Sequence, residues 1–347
     1  MEGDDRLEKS SGNNDGGRPE LTNKKTLVVY TILLILLISA IILNRDFFVR
    51  MTHEMKEMSI AGIIVVCVCG ILYRVLDGVV LYQMGHKYSS EFTLSKAVVT
   101  ALCGSFFRVS TLGSGMAVSK IYYMKRDGIE IGNGMGICFL QTIFFKLSIL
   151  VMGVVAIVCS TVSRAAFANS KIFVIIDIAA NVLLVAAMVT IAVNKRLTGF
   201  LFRLGRKICA KFPKAMAFLE RAGYEVDLLQ NESAVAMKDK KLCIILLAES
   251  VLMQALWYVT PCIAVIGDGV ALPDVFAMIA IANMLAGVIP MPSGFGSVDV
   301  FFVLMYVQAG ASVAAALAMV VYRFATTFVP FFAGAPAVFA YIRRERT

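Results

Sequence analysis

Long apolar runs separated by short polar segments dominate the chain. Runs over 26–43, 58–84, 136–160, 172–194, 242–266 and 311–341 match or exceed the roughly 20 residues that span about 30 Å of hydrocarbon. Lipid offers backbone N–H and C=O groups no partner but each other, so each run predicts a transmembrane helix. Two further apolar stretches, 94–120 and 272–309, are interrupted by glycine and proline. The second breaks at Pro290-Met-Pro-Ser-Gly-Phe-Gly296. The arm before that break, 275–289, reaches only about 22 Å at 1.5 Å per residue, which is short for a crossing. Both stretches are therefore expected to enter and leave on one side. The predicted fold class is all-α: a polytopic membrane protein of about six full transmembrane helices plus two re-entrant hairpins.

Charge orients these elements. The segment 195–241 carries eleven Lys or Arg against five Asp or Glu, and Arg-Arg-Glu-Arg closes the C-terminus. Both belong in the cytoplasm by the positive-inside rule. Working backwards, 161–171 and 267–271 lie outside, and the N-terminus is cytoplasmic beside Lys24 and Lys25. The units 58–160 and 242–341 then form an inverted repeat of helix, hairpin and helix. Within it, Ser114-Gly115 precedes Lys120 as Ser293-Gly294 precedes Asp299. Inverted repeats with broken helices mark transporters, because half-helix ends aim backbone dipoles at a polar substrate near the midplane. Residues 1–23 are polar and without aromatics, so they are expected to form a disordered cytoplasmic tail. Residues 24–347 form the transmembrane domain, with 195–241 as its basic cytoplasmic loop.

Composition agrees with a lipid-embedded chain: 59% of 347 residues are hydrophobic, 16% are charged, and the mean hydropathy is +0.79. Soluble domains do not have this mix. The eight cysteines show no C-x-x-C spacing and read as small hydrophobes. The two histidines, His53 and His86, lie in different inter-helix segments, which argues against a His-based metal site or a Ser-His-Asp triad. No catalytic group, metal or cofactor is expected. The net charge of +9 points to anionic phospholipid headgroups as partners, not to nucleic acid; a homo-oligomer is left open.

A charge in hydrocarbon costs about 2.5 to 3.5 kcal/mol on insertion scales, so each one needs a reason. Arg74 and Asp77, three residues apart, suit a local ion pair. Lys146 and Asp177 lie near span ends, where side chains snorkel to the interface. Glu249, Asp299 and Arg323 lie deeper. An Asp299–Arg323 pair could simply hold the second hairpin against the last helix. The functional alternative makes Arg323 a phosphate ligand and gives Asp299 or Glu249 a cationic headgroup. Gly294 and Gly296 permit the turn and bare backbone N–H groups beside Ser293 at a helix start. Gly128, Gly132 and Gly136 read as a loop and a close helix contact.

The segment 289–299 (Ile-Pro-Met-Pro-Ser-Gly-Phe-Gly-Ser-Val-Asp), then Val-Tyr-Arg323 and Val-Pro330-Phe-Phe-Ala-Gly334, resembles the second-half signature of the lysylphosphatidylglycerol synthase transmembrane, flippase-like family. That signature reads P-x-P-G-G-x-G-x-x-E, followed by an aromatic-Arg pair. Residues 76–82 (Leu-Asp-Gly-Val-Val-Leu-Tyr) and 121–128 (Ile-Tyr-Tyr-Met-Lys-Arg-Asp-Gly) resemble the form common in Gram-positive members. The likeness covers about 58–342. It implies a lipid-handling fold that, in the multiple peptide resistance factor, moves aminoacylated phosphatidylglycerol between leaflets.

The chain departs from the pattern in both hairpins. Ser110-Thr111 and Gly115-Met-Ala-Val118 stand where the family has T-P and G-G-Q-P, Ser293 replaces a glycine, and Asp299 replaces the glutamate. The first hairpin thus lacks the family's Gln and Pro, a change that allows a different substrate. By resemblance, lysyl transfer belongs to a separate soluble domain after the membrane part, and none is expected in the six residues beyond Tyr341. The expected function is lipid binding and translocation in a bacterial plasma membrane. The lipid-binding candidates are Asp77, Lys120, Glu249, Ser293, Gly294, Gly296, Asp299 and Arg323. The alternatives are a phosphatidylglycerol lysyltransferase and a non-transporting membrane scaffold.

Overall fold

In the computed structural model, the described residues are 56, 58–111, 113, 115–160, 171–209, 237–267, 269–287, 297–308 and 312–344, with scattered positions between 216 and 233. The described elements all belong to one compact unit, Asp46–Thr347. They are helical: α1 (Ile60–Gly85), α2 (Leu94–Ser110), α3 (Gly115–Arg126), α4 (Ile131–Cys159), α5 (Lys171–Val193), α6 (Lys195–Cys209), α7 (Lys240–Ala264), α8 (Leu272–Ala286), α9 (Ser297–Gln308), α10 (Ser312–Arg323) and α11 (Val329–Arg344). A π-helical turn, Phe324–Phe328, joins the last two.

Among the described residues, five segments are long and apolar enough to cross a membrane: Ile60–Gly85, Ile131–Cys159, Ile175–Val193, Lys240–Ala264 and Ala316–Tyr341. They correspond to five of the six predicted spans; the sixth, 26–43, lies outside the described residues, as does the 1–23 tail. α4 begins at Ile131, five residues before its predicted start, so Gly132 and Gly136 are buried in its first turns while Gly128 turns with φ +85°. Local chemistry sets other ends. Ser59 and Asp239 cap α1 and α7 by accepting from the N–H groups of Gly62 and Leu242, which have no helical carbonyl to bind. The π-turn has a covalent cause: Pro330 has no N–H for the carbonyl of Thr326 four residues earlier, so the ladder shifts and Val329 N–H bonds Phe324 instead.

Both stretches expected as hairpins are broken helices. α2 packs on α3 and α8 packs on α9. The helix–pair–helix unit occurs twice, as α1, α2–α3, α4 and as α7, α8–α9, α10–α11. The contacts within and between units repeat in matching pairs. α1 meets α7; α2 meets α11 as α8 meets α4; α1 meets α4 as α7 meets α10. Each broken pair thus packs against the closing helix of the other unit. Surface residues follow the lipid rule: Ile64, Val68 and Leu72 on α1 and Ile175, Ile176 and Leu183 on α5 are exposed. The opposite side of α1 buries Tyr73, Arg74 and Asp77, so its polar groups face inward.

Candidate functional site

The buried charge on α1 is the centre of the site. Asp77 accepts hydrogen bonds from Lys120 Nζ at 2.9 and 3.0 Å, from Arg74 at 3.1 Å, and from the Gln141 amide. Lys120 also donates to Gln141 Oε1 at 2.9 Å. Arg74, Asp77 and Lys120 are each no more than 2% exposed. The local Arg74–Asp77 pair read from spacing is therefore present, enlarged by a lysine from α3 and an amide from α4. Lys120 reaches Asp77 because its stem lies on Gly104 of α2. A Cβ there would meet Lys120 Cε and Cγ at 3.1 Å, so any larger residue would press on the lysine.

The break before α3 positions another cation. Gly113, at φ +105°, donates its N–H to the carbonyl of Arg108 at 2.7 Å, and Gly115 N–H bonds Thr111 Oγ1 at 2.6 Å. This ends α2 with Arg108 in its last turn, where the helix dipole is negative and favours a cation. Arg108 interacts electrostatically with both Arg74 and Arg323. Its guanidinium carbon lies 5.9 Å from the Trp257 ring centroid, on the same indole that Arg74 approaches at 5.8 Å. Tyr73 stacks on Trp257 with centroids 3.7 Å apart and planes 8° from parallel.

These groups border a cavity of about 190 Å³ between α1, α2, α3, α4 and α7, lined by Arg74, Asp77, Arg108, Lys120, Gln141 and Trp257 among others. Two buried donors on its wall, Arg74 Nε and Trp257 Nε1, have no hydrogen-bond partner. The wall therefore offers cationic and N–H groups to an acceptor-rich, negatively charged ligand.

The other predicted site residues lie elsewhere. Arg323 meets Asp299 in a fork, Nε to Oδ1 and the terminal nitrogen to Oδ2, both at 2.8 Å. This is the geometry expected if the pair holds α9 to α10. Arg323 is 4% exposed and the Asp299 side chain 28%. Glu249 accepts from Gln83 Nε2 at 2.6 Å, away from the cavity, although its neighbour Ser250 lines it. Ser293, Gly294 and Gly296 lie outside the described residues. Lys146 donates to the carbonyl of Gly287 at 2.9 Å instead of snorkelling, which satisfies a free acceptor where α8 ends. Asp177 accepts from Asn181 at 3.1 Å.

Sequence reasoning missed Arg108, Gln141, Tyr73 and Trp257. Arg108 was findable: it is a charge within an apolar stretch, two residues before the Ser110-Thr111 mismatch. Gln141 is uncharged, and no rule about charges in hydrocarbon selects it.

The family model described as the lysylphosphatidylglycerol synthase TM region matches residues 25–334. No curated protein and no solved structure matches the chain.

Proposed function

We propose, for a chain that belongs to the lysylphosphatidylglycerol synthase transmembrane family, that it binds the phosphate of an anionic phospholipid headgroup in the α1–α3–α7 cavity and carries it between leaflets. The observation behind this reading is the charge on the cavity wall. Three cations, Arg74, Arg108 and Lys120, face one carboxylate, Asp77, and the unused N–H groups of Arg74 and Trp257 point the same way. A cavity wall with more cations than carboxylates favours an anion, and a guanidinium fork matches two phosphate oxygens at once. Size supports a headgroup over a whole lipid, because drug-sized ligands need about 300–1,000 Å³. The acyl chains would then stay in the bilayer while the headgroup crosses through protein.

In this reading Asp77 holds Lys120 and Arg74 in place, and the Asp299–Arg323 fork closes the second pair of broken helices. The two units run in opposite directions through a bacterial plasma membrane, with both termini in the cytoplasm, as the basic flanks require. Alternation of the units around the cavity provides the route.

The experiment is leaflet exchange of fluorescent phosphatidylglycerol and phosphatidylcholine in reconstituted vesicles, for wild type and Arg108→Gln, with thermal stability measured alongside. Wild type should accelerate phosphatidylglycerol exchange over protein-free vesicles. The variant should lose at least tenfold of that acceleration while staying folded, since one charged hydrogen bond to phosphate contributes about 1.5–3 kcal/mol. No acceleration by wild type sinks translocation; equal exchange of the two lipids sinks the preference for an anionic headgroup, and unchanged exchange in the variant sinks the phosphate assignment.

A further inference from the structure

α6 takes no part in the cavity, yet its position and faces are unusual. It begins at Lys195, one residue after Asn194 and two after the end of the apolar span Ile175–Val193, so it starts where hydrocarbon gives way to headgroups. The junction is built. Asn194 Oδ1 accepts from the N–H groups of both Arg196 and Leu197 at 3.1 Å, capping the new helix. Gln230 donates to the carbonyl of Ile191 at 2.6 Å and to the hydroxyl of Thr198 at 2.8 Å. One amide thus binds the end of the span to the start of α6.

At 100° per residue the helix divides into three faces. Thr198, 5% exposed, turns toward Gln230, with Phe202 beside it, toward Gly223. Leu197, Phe200 and Leu204 form a second face, 42%, 54% and 45% exposed. Lys195, Arg196, Arg203, Arg206 and Lys207 fill the third, all exposed, and α6 contains no acidic residue. An apolar strip beside a basic arc is the pattern of a helix lying in a membrane interface, and a soluble partner would not need the helix fixed at a span boundary.

We propose that α6 is an interfacial helix: its Leu197–Phe200–Leu204 strip lies among the outer acyl methylenes, and its basic arc binds the phosphates of anionic phospholipids in that leaflet. This surface is distinct from the cavity and does not depend on translocation. Each juxtamembrane Lys or Arg favours an anionic surface by roughly fivefold, so the arc enriches such lipids around the end of α5. The enrichment weakens with salt.

The test uses the full chain, cysteine-free except for a fluorophore-bearing Phe200→Cys or Arg203→Cys, in phosphatidylcholine nanodiscs containing phosphatidylglycerol. Position 200 should be quenched by acyl-chain spin labels and shielded from aqueous iodide. Position 203 should be quenched at least severalfold more by headgroup-labelled phosphatidylglycerol than by headgroup-labelled phosphatidylcholine. That preference should disappear when Arg196, Arg206 and Lys207 are all changed to Gln. Iodide access at position 200 without acyl-chain quenching would remove the helix from the interface. Equal quenching of position 203 by the two headgroup labels would overturn the anion-binding arc.

Discussion

Replacing Asp77 by Asn exchanges one oxygen for an amide nitrogen and removes the counter-charge of two cations. Lys120 Nζ lies 2.9 Å from the carboxylate and Arg74 lies 3.1 Å away, and both residues are almost wholly buried. Removing one partner of a buried ion pair costs about 3–5 kcal/mol because the other is left uncompensated; here two are left, which sets the expectation at the upper end. Lys120→Met is milder. Asp77 keeps Arg74 and the Gln141 amide, and the main losses are the charged contact of Nζ with the two Asp77 oxygens and the partner of Gln141 Oε1, about 1.5–3 kcal/mol. The double variant should cost less than the sum of the singles, because the lysine left stranded by the first change is absent. Unfolding free energies in mixed micelles, titrated with a denaturing detergent, give all three values. Asp77→Asn at wild-type stability, or Lys120→Met as the more damaging single change, would refute the account of Asp77 as the hub of the cluster.

Two further outcomes are expected. Gly78→Ala should destabilise by about 1–3 kcal/mol, because its Cβ would lie 2.5 Å from Val98 Cα and 2.8 Å from Val98 N, so backbone must move. Gly199→Ala, with nothing within 4 Å, should stabilise by about 0.5–1 kcal/mol through helix propensity. The same detergent titration checks both, and equal effects would remove the packing argument. In intact cells, impermeant thiol reagents should fail to label Gly12→Cys or Arg346→Cys in a cysteine-free chain and should label both after permeabilisation. Labelling of either site without permeabilisation would place that terminus outside.

Much of the fold was legible because lipid leaves few choices. Apolar length located α1, α5 and α7 within a few residues, and the glycines and Pro290 marked where α2–α3 and α8–α9 divide. The start of α4 was misplaced by five residues: of the loop and the close helix contact expected around Gly128, Gly132 and Gly136, the loop takes only Gly128, and the two later glycines pack inside the helix. The Arg74–Asp77 pair was readable from spacing. Its extension to Lys120 and Gln141 was not, since these residues lie 43 and 64 positions away from Asp77 and only tertiary packing brings them to it. Lys146 shows the same limit: near a span end the bland expectation is water, and only the fold reveals a free carbonyl within reach.

The exchanged packing of the two units makes them inseparable. α2 rests on α11 and α8 rests on α4, so either half of the gene product, expressed alone, would leave the first helix of its broken pair without the helix of the other unit that it packs on. Halves cut within the segment joining α6 and α7 would need to be made together, and each would act as the other's folding partner. The same interlock ties their movements. A tilt of one broken pair would press on a helix that belongs to the opposite unit.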